Sequence, residues 1–375
     1  MNKLLLIPAA LLAIGLSACE TVEAGQPQAR GETEEIVVVT DSVTWAGPVG
    51  DAIRAELGKP ILTLPSNQGA FQLRHQELTG RGFPSLKMAP NIIFAAPVDA
   101  PGEIGDFIRS RVGESNLEAV RSGSSAAVNL RDDLWANNQL VTIATAASDS
   151  ALATQFLQRG PELRERYEDL ARVRTGNEIY ARLRQTDLED ELLAAHDFQV
   201  GIQHDYVPVQ DTSATAGGLE GEFVRYRRVL VDTWRDFYVF YADGVDTLPS
   251  EADLDGITND LLEEFARGVL DSSYVEIDDQ RPTSTDEVEI NGRPGVEKRG
   301  FWRMTYDVMG GSYIRFAFLD PATDRLYVYY GMTFAPDRTL DKRKFLRQME
   351  AIGHSFVSAA DLEPTGRRSQ DAPPE

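Results

Sequence analysis

Carboxylates are the only reactive groups this chain holds in abundance. Its 375 residues include 59 Asp and Glu, four His and one Cys. His196-Asp197 and His204-Asp205 look like a repeated metal-ligand pair. If the segment between them is extended, eight steps of about 3.3 Å place the rings roughly 26 Å apart. If it is helical, they still lie about 12 Å apart. Neither geometry lets them share an ion. His75 and His354 stand alone and are expected as surface or packed side chains. The stretch "EADLDG", Glu251 to Gly256, has acids at alternate positions before a glycine, as a calcium loop does. The twelfth position is Leu262, where such a loop needs a bidentate acid. A helix cap at Asp255 or Thr258 is the simpler expectation.

Covalent catalysis has no better footing. There is no G-x-S-x-G elbow. "GPVGD" at Gly47 is neither a dinucleotide fingerprint nor a phosphate loop. So many acids allow countless carboxylate pairs and single out none. The sequence therefore assigns no catalytic residue, no cofactor and no metal. It does offer aromatics. Tyr313, Phe316, Phe318, Tyr327, Tyr329 and Tyr330 could form a carbohydrate or peptide platform, but aromatics also favour strands and fill cores, which is the expectation here. Tyr313, Trp302 and Trp45 are the candidates for a binding surface. "DPATD", Asp320 to Asp324, is turn chemistry and makes this stretch a hairpin. Met309-Gly310-Gly311 before it is expected as a turn or bulge of unusual φ.

Cys19 is the one cysteine. Before it come Lys3 and an apolar run from Leu4 to Leu16, shorter than the ~20 residues of a spanning helix. That is the pattern of a secretory signal. Leu16-Ser17-Ala18-Cys19 resembles the lipobox of bacterial lipoproteins, so Cys19 is expected to be lipidated. An unpaired thiol outside the cytoplasm is otherwise a liability. Stable anchoring takes more than one acyl chain, and the lipobox pathway supplies several. Glu20 favours the outer membrane; which of its faces is left open.

The net charge is −22. Removing Lys3 with the leader makes the remainder more acidic still. That disfavours nucleic acid and anionic lipid surfaces as general partners. The local basic runs "RYRR", Arg225 to Arg228, and "KRK", Lys342 to Lys344, are expected as solvated edges and helix faces.

The elements that would position any site alternate irregularly between strand and helix patterns, which argues for α+β. In the first half, "EEIVVVTDS", "AFQLRHQEL", "NIIFAAPV", "AAVNLRDDLW" and "NQLVTIATA" read as strands, and "GPVGDAIRAELG" as a helix that starts at Pro48 and stops at Gly58. Residues 150–195 read as a helical connector broken at Gly160-Pro161 and Thr175-Gly176-Asn177. In the second half, "GEFVRYRRVLVD", "DFYVFYADG", "VEKRGFWRMTYDV", "SYIRFAFLD" and "DRLYVYYGMTF" are strand-like. An amphipathic helix carries Ile257, Leu261, Leu262, Phe265 and Val269 on one face. A closing helix follows from about Asp341, with Lys342, Arg343, Lys344 and Arg347 on its outer side.

"GPVGDAIRAELG" after Trp45, "LPSNQGAFQLRH", "FWRMTYDVMGGSY" and "FAPDRTLDKRKFLRQMEAI" together resemble the domain of unknown function 4837 family, lipoproteins of Bacteroidota. Ser312-Tyr313 stands where the family usually has Pro-Phe, which implies a looser turn. The resemblance implies a lipid anchor and no activity, cofactor or catalytic residue.

The expected fold is α+β, with antiparallel sheets, helices packed on one face, and two possibly related halves. The expected organisation is a signal peptide (1–18), a flexible tether (19–34), an N-terminal half with the connector (35–195), a C-terminal half (196–360) and a tail (361–375). The expected function is a non-catalytic binding or assembly module anchored to the outer membrane. Its partners would be the bilayer, through the acyl chains, and an envelope protein or glycan. The alternative is a hydrolase of envelope glycan or peptide.

Overall fold

The computed structural model describes residues 25–270 and 272–362. Leu16, Ser17, Ala18 and Cys19 lie outside the described residues. The first half runs β1 (Glu35–Val39), α1 (Ser42–Ala46), α2 (Pro48–Leu57), β2 (Gln72–Gln76), α3 (Phe83–Leu86), β3 (Asn91–Ala95), α4 (Gly102–Val112), α5 (Glu114–Arg121), β4 (Ala127–Asp132) and β5 (Leu140–Thr145). Its sheet has the order β2-β1-β3-β5-β4. β1 pairs in parallel with β2 and β3, and β3 with β5; only β4 is antiparallel. Ile36, Val38 and Ile93 face α2 and the following long helix, while Val37, Val39, Ile92 and Phe94 face α4 and α5. Helices thus cover both faces. This explains why "IVVV" and "IIFA" are continuous apolar runs.

The chain remains α+β, but two details of the expectation are corrected. The first sheet is mostly parallel, and helices cover both faces rather than one. A further difference concerns the tether. Residues 26–34 are docked: Ala29 N donates to Asn137 O, Arg30 N to Met88 O, and Glu34 is buried.

Two helices join the halves, α6 (Asp149–Tyr180) and α7 (Thr186–His196). α6 is unbroken through Pro161 and Gly176, against expectation. Leu152, Phe156, Leu163 and Tyr167 pack it along the first sheet. Gly160 gives the closeness, since a Cβ there would lie 2.3 Å from Glu56 Cγ. Packing over that length outweighs local helix-breaking propensity.

The second half runs β6 (Phe198–Gln199), β7 (Val207–Ala216), β8 (Leu219–Val229), β9 (Trp234–Asp243), α8 (Glu251–Phe265), β10 (Val275–Ile277), β11 (Ser284–Ile290), β12 (Arg293–Met304), β13 (Gly310–Asp320), β14 (Arg325–Phe334), α9 (Lys342–His354), β15 (Val357–Ser358) and α10 (Ala359–Leu362). Its main sheet has the order β10-β12-β13-β14-β9-β8-β7, with β11 also on β12, and all its pairs are antiparallel. Two three-stranded meanders thus join where β14 meets β9. Leu254, Ile257 and Leu261 seat α8 on one face; Leu346, Met349 and Ile352 seat α9 on the other. The two sheets differ in strand order and direction, so the halves are not copies of one fold. Ser250 caps α8 by accepting from Asp253 N, which replaces the cap expected at Asp255 or Thr258. The "EADLDG" acids are therefore helical. Two of them, Glu251 and Asp255, hold the fully buried Arg315.

Candidate functional site

One end of the antiparallel sheet collects the loops that carry exposed apolar side chains. The register fixes which residues meet there: Val207 opposes Arg227, Trp234 opposes Phe334, and Gly310 opposes Arg303. Nine of the fifteen exposed large apolar side chains among the described residues lie at this end: Val207 and Val209, Val229 to Val231, Val269 and Leu270, Tyr306 and Val308. α8 stops at Phe265, so Val269 leaves the helix face expected for it and is fully exposed.

These loops surround a cavity of about 330 Å³. Its apolar lining includes Trp234, Met304, Met309 and Met332, and three arginines border it, Arg225, Arg227 and Arg267. Arg225 and Arg227 are alternate residues of β8 and so share a face. Both reach Asp236, at 2.5 Å from Arg225 Nη2 and 2.8 Å from Arg227 Nε. The hydrogen bond to Asp236 raises the pKa of Arg227 and keeps it charged. Arg227 also lies 5.6 Å from the Trp234 ring. Trp234 in turn packs 5.3 Å from both Trp302 and Phe334.

The glycines near the groove permit close approach. Gly310 and Gly311 do not have positive φ, contrary to expectation. A Cβ on Gly311 would lie 1.9 Å from Thr333 O, and one on Gly310 would lie 2.8 Å from Trp302 O. Gly268 lets its loop close on Met304 in the same way.

The expected binding-surface aromatics behave differently. Trp302 and Tyr313 are buried under α8, because β12 and β13 turn them into the core on that face. Tyr313 stacks on Tyr330 at 5.0 Å, and burial pushes its hydroxyl pKa up. The neighbouring turn is not loose, since Ser312 Oγ donates to Thr63 O at 2.6 Å. Trp45 is partly buried in the other half, stacked on His75 at 5.2 Å with Arg54 above it at 4.5 Å. The three candidates therefore form no common surface. Of the three, Trp302 alone lies near the groove, packed behind Trp234 and not lining the cavity. Sequence reasoning missed Trp234, the arginines and the methionines. A signal existed in Val229-Leu230-Val231, an aliphatic run that starts at the last paired residue of β8 and continues past it, but it read as more strand.

Both basic runs are largely structural rather than solvated. Arg225 is buried, and Arg228 lies 2.6 Å from Asp205. On α9, Lys342, Arg343 and Arg347 are buried where the halves meet. Lys342 N donates to Gln68 Oε1 at 3.0 Å, Arg343 Nη1 to Gly69 O at 3.0 Å, and Arg347 Nη1 to Glu168 O at 3.2 Å. Arg172 of α6 reaches Glu350 of α9 at 3.2 Å. Burial alone would raise the pKa of Glu350, but Arg299, Arg347 and Arg172 together hold it well below the usual carboxylate range.

Potential ligand atoms of Glu297, Glu350 and His354 lie within 4.8 Å of one another. Arg299 already binds both carboxylates, so this cluster works as an ion-pair lock. His354 is held neutral, its pKa lowered to about 4, mainly by burial. His196 bonds Tyr241 and Asp211 rather than His204, which sits by Asp205. Another depression, about 590 Å³, is bordered by Glu220, Glu222, Asp243 and Glu264.

The architecture defines an α+β protein in which a mostly parallel sheet and an antiparallel sheet share a polar seam. Family models match two parts of the chain. Residues 185–355 match the model described as Domain of unknown function (DUF4837), from the start of α7 to the end of α9. The match takes in the motifs from Phe301 onward that carried the resemblance, whereas "GPVGDAIRAELG" and "LPSNQGAFQLRH" lie outside it. Residues 29–97 match a second model, Domain of unknown function (DUF8532). That match covers the docked segment through β3, including Trp45 and "GPVGDAIRAELG". No curated protein matches the chain.

Proposed function

We propose that this protein is a non-catalytic binding module of the cell envelope, anchored to the outer membrane through a lipidated Cys19, and that the groove at the Trp234 end of the sheet is its binding site. One observation carries this reading: most of the exposed large apolar side chains converge on one end of one sheet, around a cavity. Contiguous exposed apolar surface of this kind marks interaction sites. The groups expected of an enzyme are engaged elsewhere. The one histidine with a shifted pKa is packed at the seam between the halves.

A photo-crosslinking side chain placed at Leu230 of the full-length protein in its native envelope tests the site. A discrete crosslinked species is expected, and the Val231→Asp/Val308→Asp double variant should lose it. No species, or one indifferent to that variant, sinks the site. The anchor has a separate test. Cys19→Ser should move the protein from the membrane pellet to the soluble fraction; a protein that stays in the pellet overturns the lipid anchor.

The second reading, a hydrolase of envelope glycan or peptide, draws on the acid-bordered depression. Two of its acids already have partners: Asp243 pairs with Arg325, and Ser213 donates to Glu222. This reading requires Glu222→Gln or Asp243→Asn to abolish hydrolysis of envelope glycan.

A further inference from the structure

We infer that the groove takes a single-chain amphiphile, an unbranched apolar body ending in one anionic group such as a carboxylate or phosphate. This rests on the binding-module reading and names the ligand class of that same site. Three observations converge on it.

The first is the lining. Met304, Met309 and Met332 contribute three flexible, unbranched thioether chains. Such side chains adapt to a flexible aliphatic partner rather than imposing one shape. Trp234 adds a flat apolar wall.

The second is charge. The molecule carries −22 overall, yet three guanidiniums border this cavity against Asp236 and Asp307. Asp236 accepts from Nε and Nη2 of Arg227, which leaves Nη1 for a ligand. Among the described residues, Arg267 donates only through Nε, to Glu264 O. Two guanidinium edges are thus available, one of them held in place by a buried carboxylate. Guanidinium edges match carboxylate and phosphate geometry.

The third is size. A cavity of about 330 Å³ is at the small end of ligand sites. It suits one chain and not a two-chain lipid. The exposed valines of the rim extend the apolar path beyond the cavity mouth.

Trp234 provides the readout. 11-Bromoundecanoate titrated into the full-length protein should quench tryptophan fluorescence saturably. Trp234→Phe should remove most of that quenching and leave only the part due to Trp302, which packs 5.3 Å behind Trp234, since Trp45 and Trp135 lie in the other half. Arg227→Gln/Arg267→Gln should weaken bromoundecanoate binding by about tenfold or more, the value of a charge-assisted hydrogen bond. It should leave 11-bromoundecanol unchanged. Val269→Asp, at an exposed position that folding does not need, should weaken the acid more than the alcohol. Dodecyl phosphate should compete with bromoundecanoate; failure to compete restricts the head group to a carboxylate. Equal affinity for acid and alcohol, with the arginine variant silent, overturns the anionic head group. No saturable quenching, or displacement only by an apolar peptide with a free C-terminus, overturns the amphiphile. In that case a persisting Leu230 crosslink keeps the binding-module reading, so the two failures are distinguishable.

Discussion

Gly311 shows what a single position decides. Its missing Cβ lets β13 press on Thr333 of β14 while Trp302 fills the space beside it, its Nε1 donating to Thr333 O at 3.1 Å. Gly311→Ala is expected to destabilise the protein by about 1–3 kcal/mol, because the Thr333 backbone and the buried Trp302 ring must move. Thermal unfolding would show this as a lowered Tm. Tyr313→Ala should cost more, about 3–5 kcal/mol, as for other large-to-small changes in a core. An unchanged Tm would mean that the ring is not buried. The Met-Gly-Gly signal was legible in the sequence, but its cause was not. A glycine chosen for φ and a glycine chosen for closeness look alike until the neighbouring strand is placed.

Among the elements, α9 departs most from its sequence pattern. Its apolar face was legible and packs as expected, through Leu346, Met349 and Ile352. Its charged side read as solvated, because charge normally marks a helix's outer face. Here that side meets the other half, where Arg347 and Glu350 are buried. Arg347→Met should destabilise by about 3 kcal/mol, since it leaves Glu350 with fewer partners in a buried site. Denaturant midpoints compare the two forms.

The same cluster predicts a pH dependence. The folded chain keeps His354 neutral down to about pH 4, whereas an unfolded imidazole takes up a proton near 6.5. The folded state therefore binds fewer protons in that window, and stability should fall as pH drops from 6.5 to about 4. Glu350, held below its ordinary 4.5, adds a loss in the same direction at lower pH. Glu34 and Glu168, raised by burial, oppose it by favouring the folded state where they retain a proton. Urea midpoints at pH 7 and pH 5 measure the balance. His354→Gln should flatten the change between them; an equal change in the variant would remove His354 as the cause.

At the scale of the whole molecule, the seam ties the sheets into one unit. Contacts from Gln68, Gly69, Thr63 and Arg172 of the first half all reach the second. The two halves are expected to unfold together in a single calorimetric transition. The Arg172→Met/Arg347→Met variant should split or broaden it. Two transitions already present in the unaltered protein would show that the seam couples nothing.

The docking of residues 26–34 bears on the proposed anchor. It leaves six residues, 20–25, between Cys19 and the docked segment, or roughly 20 Å of chain at full extension. The body would then sit close to the bilayer and not swing on a long tether.

The sequence by itself determined the α+β class, most strands, the acidity and a DUF4837 resemblance, which it spread over motifs from Trp45 to the closing helix and which the family match confines to residues 185–355. Each of these follows from local periodicity, composition or short motifs. Tertiary structure alone decided that the first sheet is mostly parallel, that α6 runs through its proline, and that Trp302 and Tyr313 face inward. It also assembled the groove. Trp234, Met304, Met309, Met332 and Arg267 come from separate strands and loops, and their pairing is fixed by the register of strands far apart in the chain. No spacing in a linear sequence records which strand ends become neighbours.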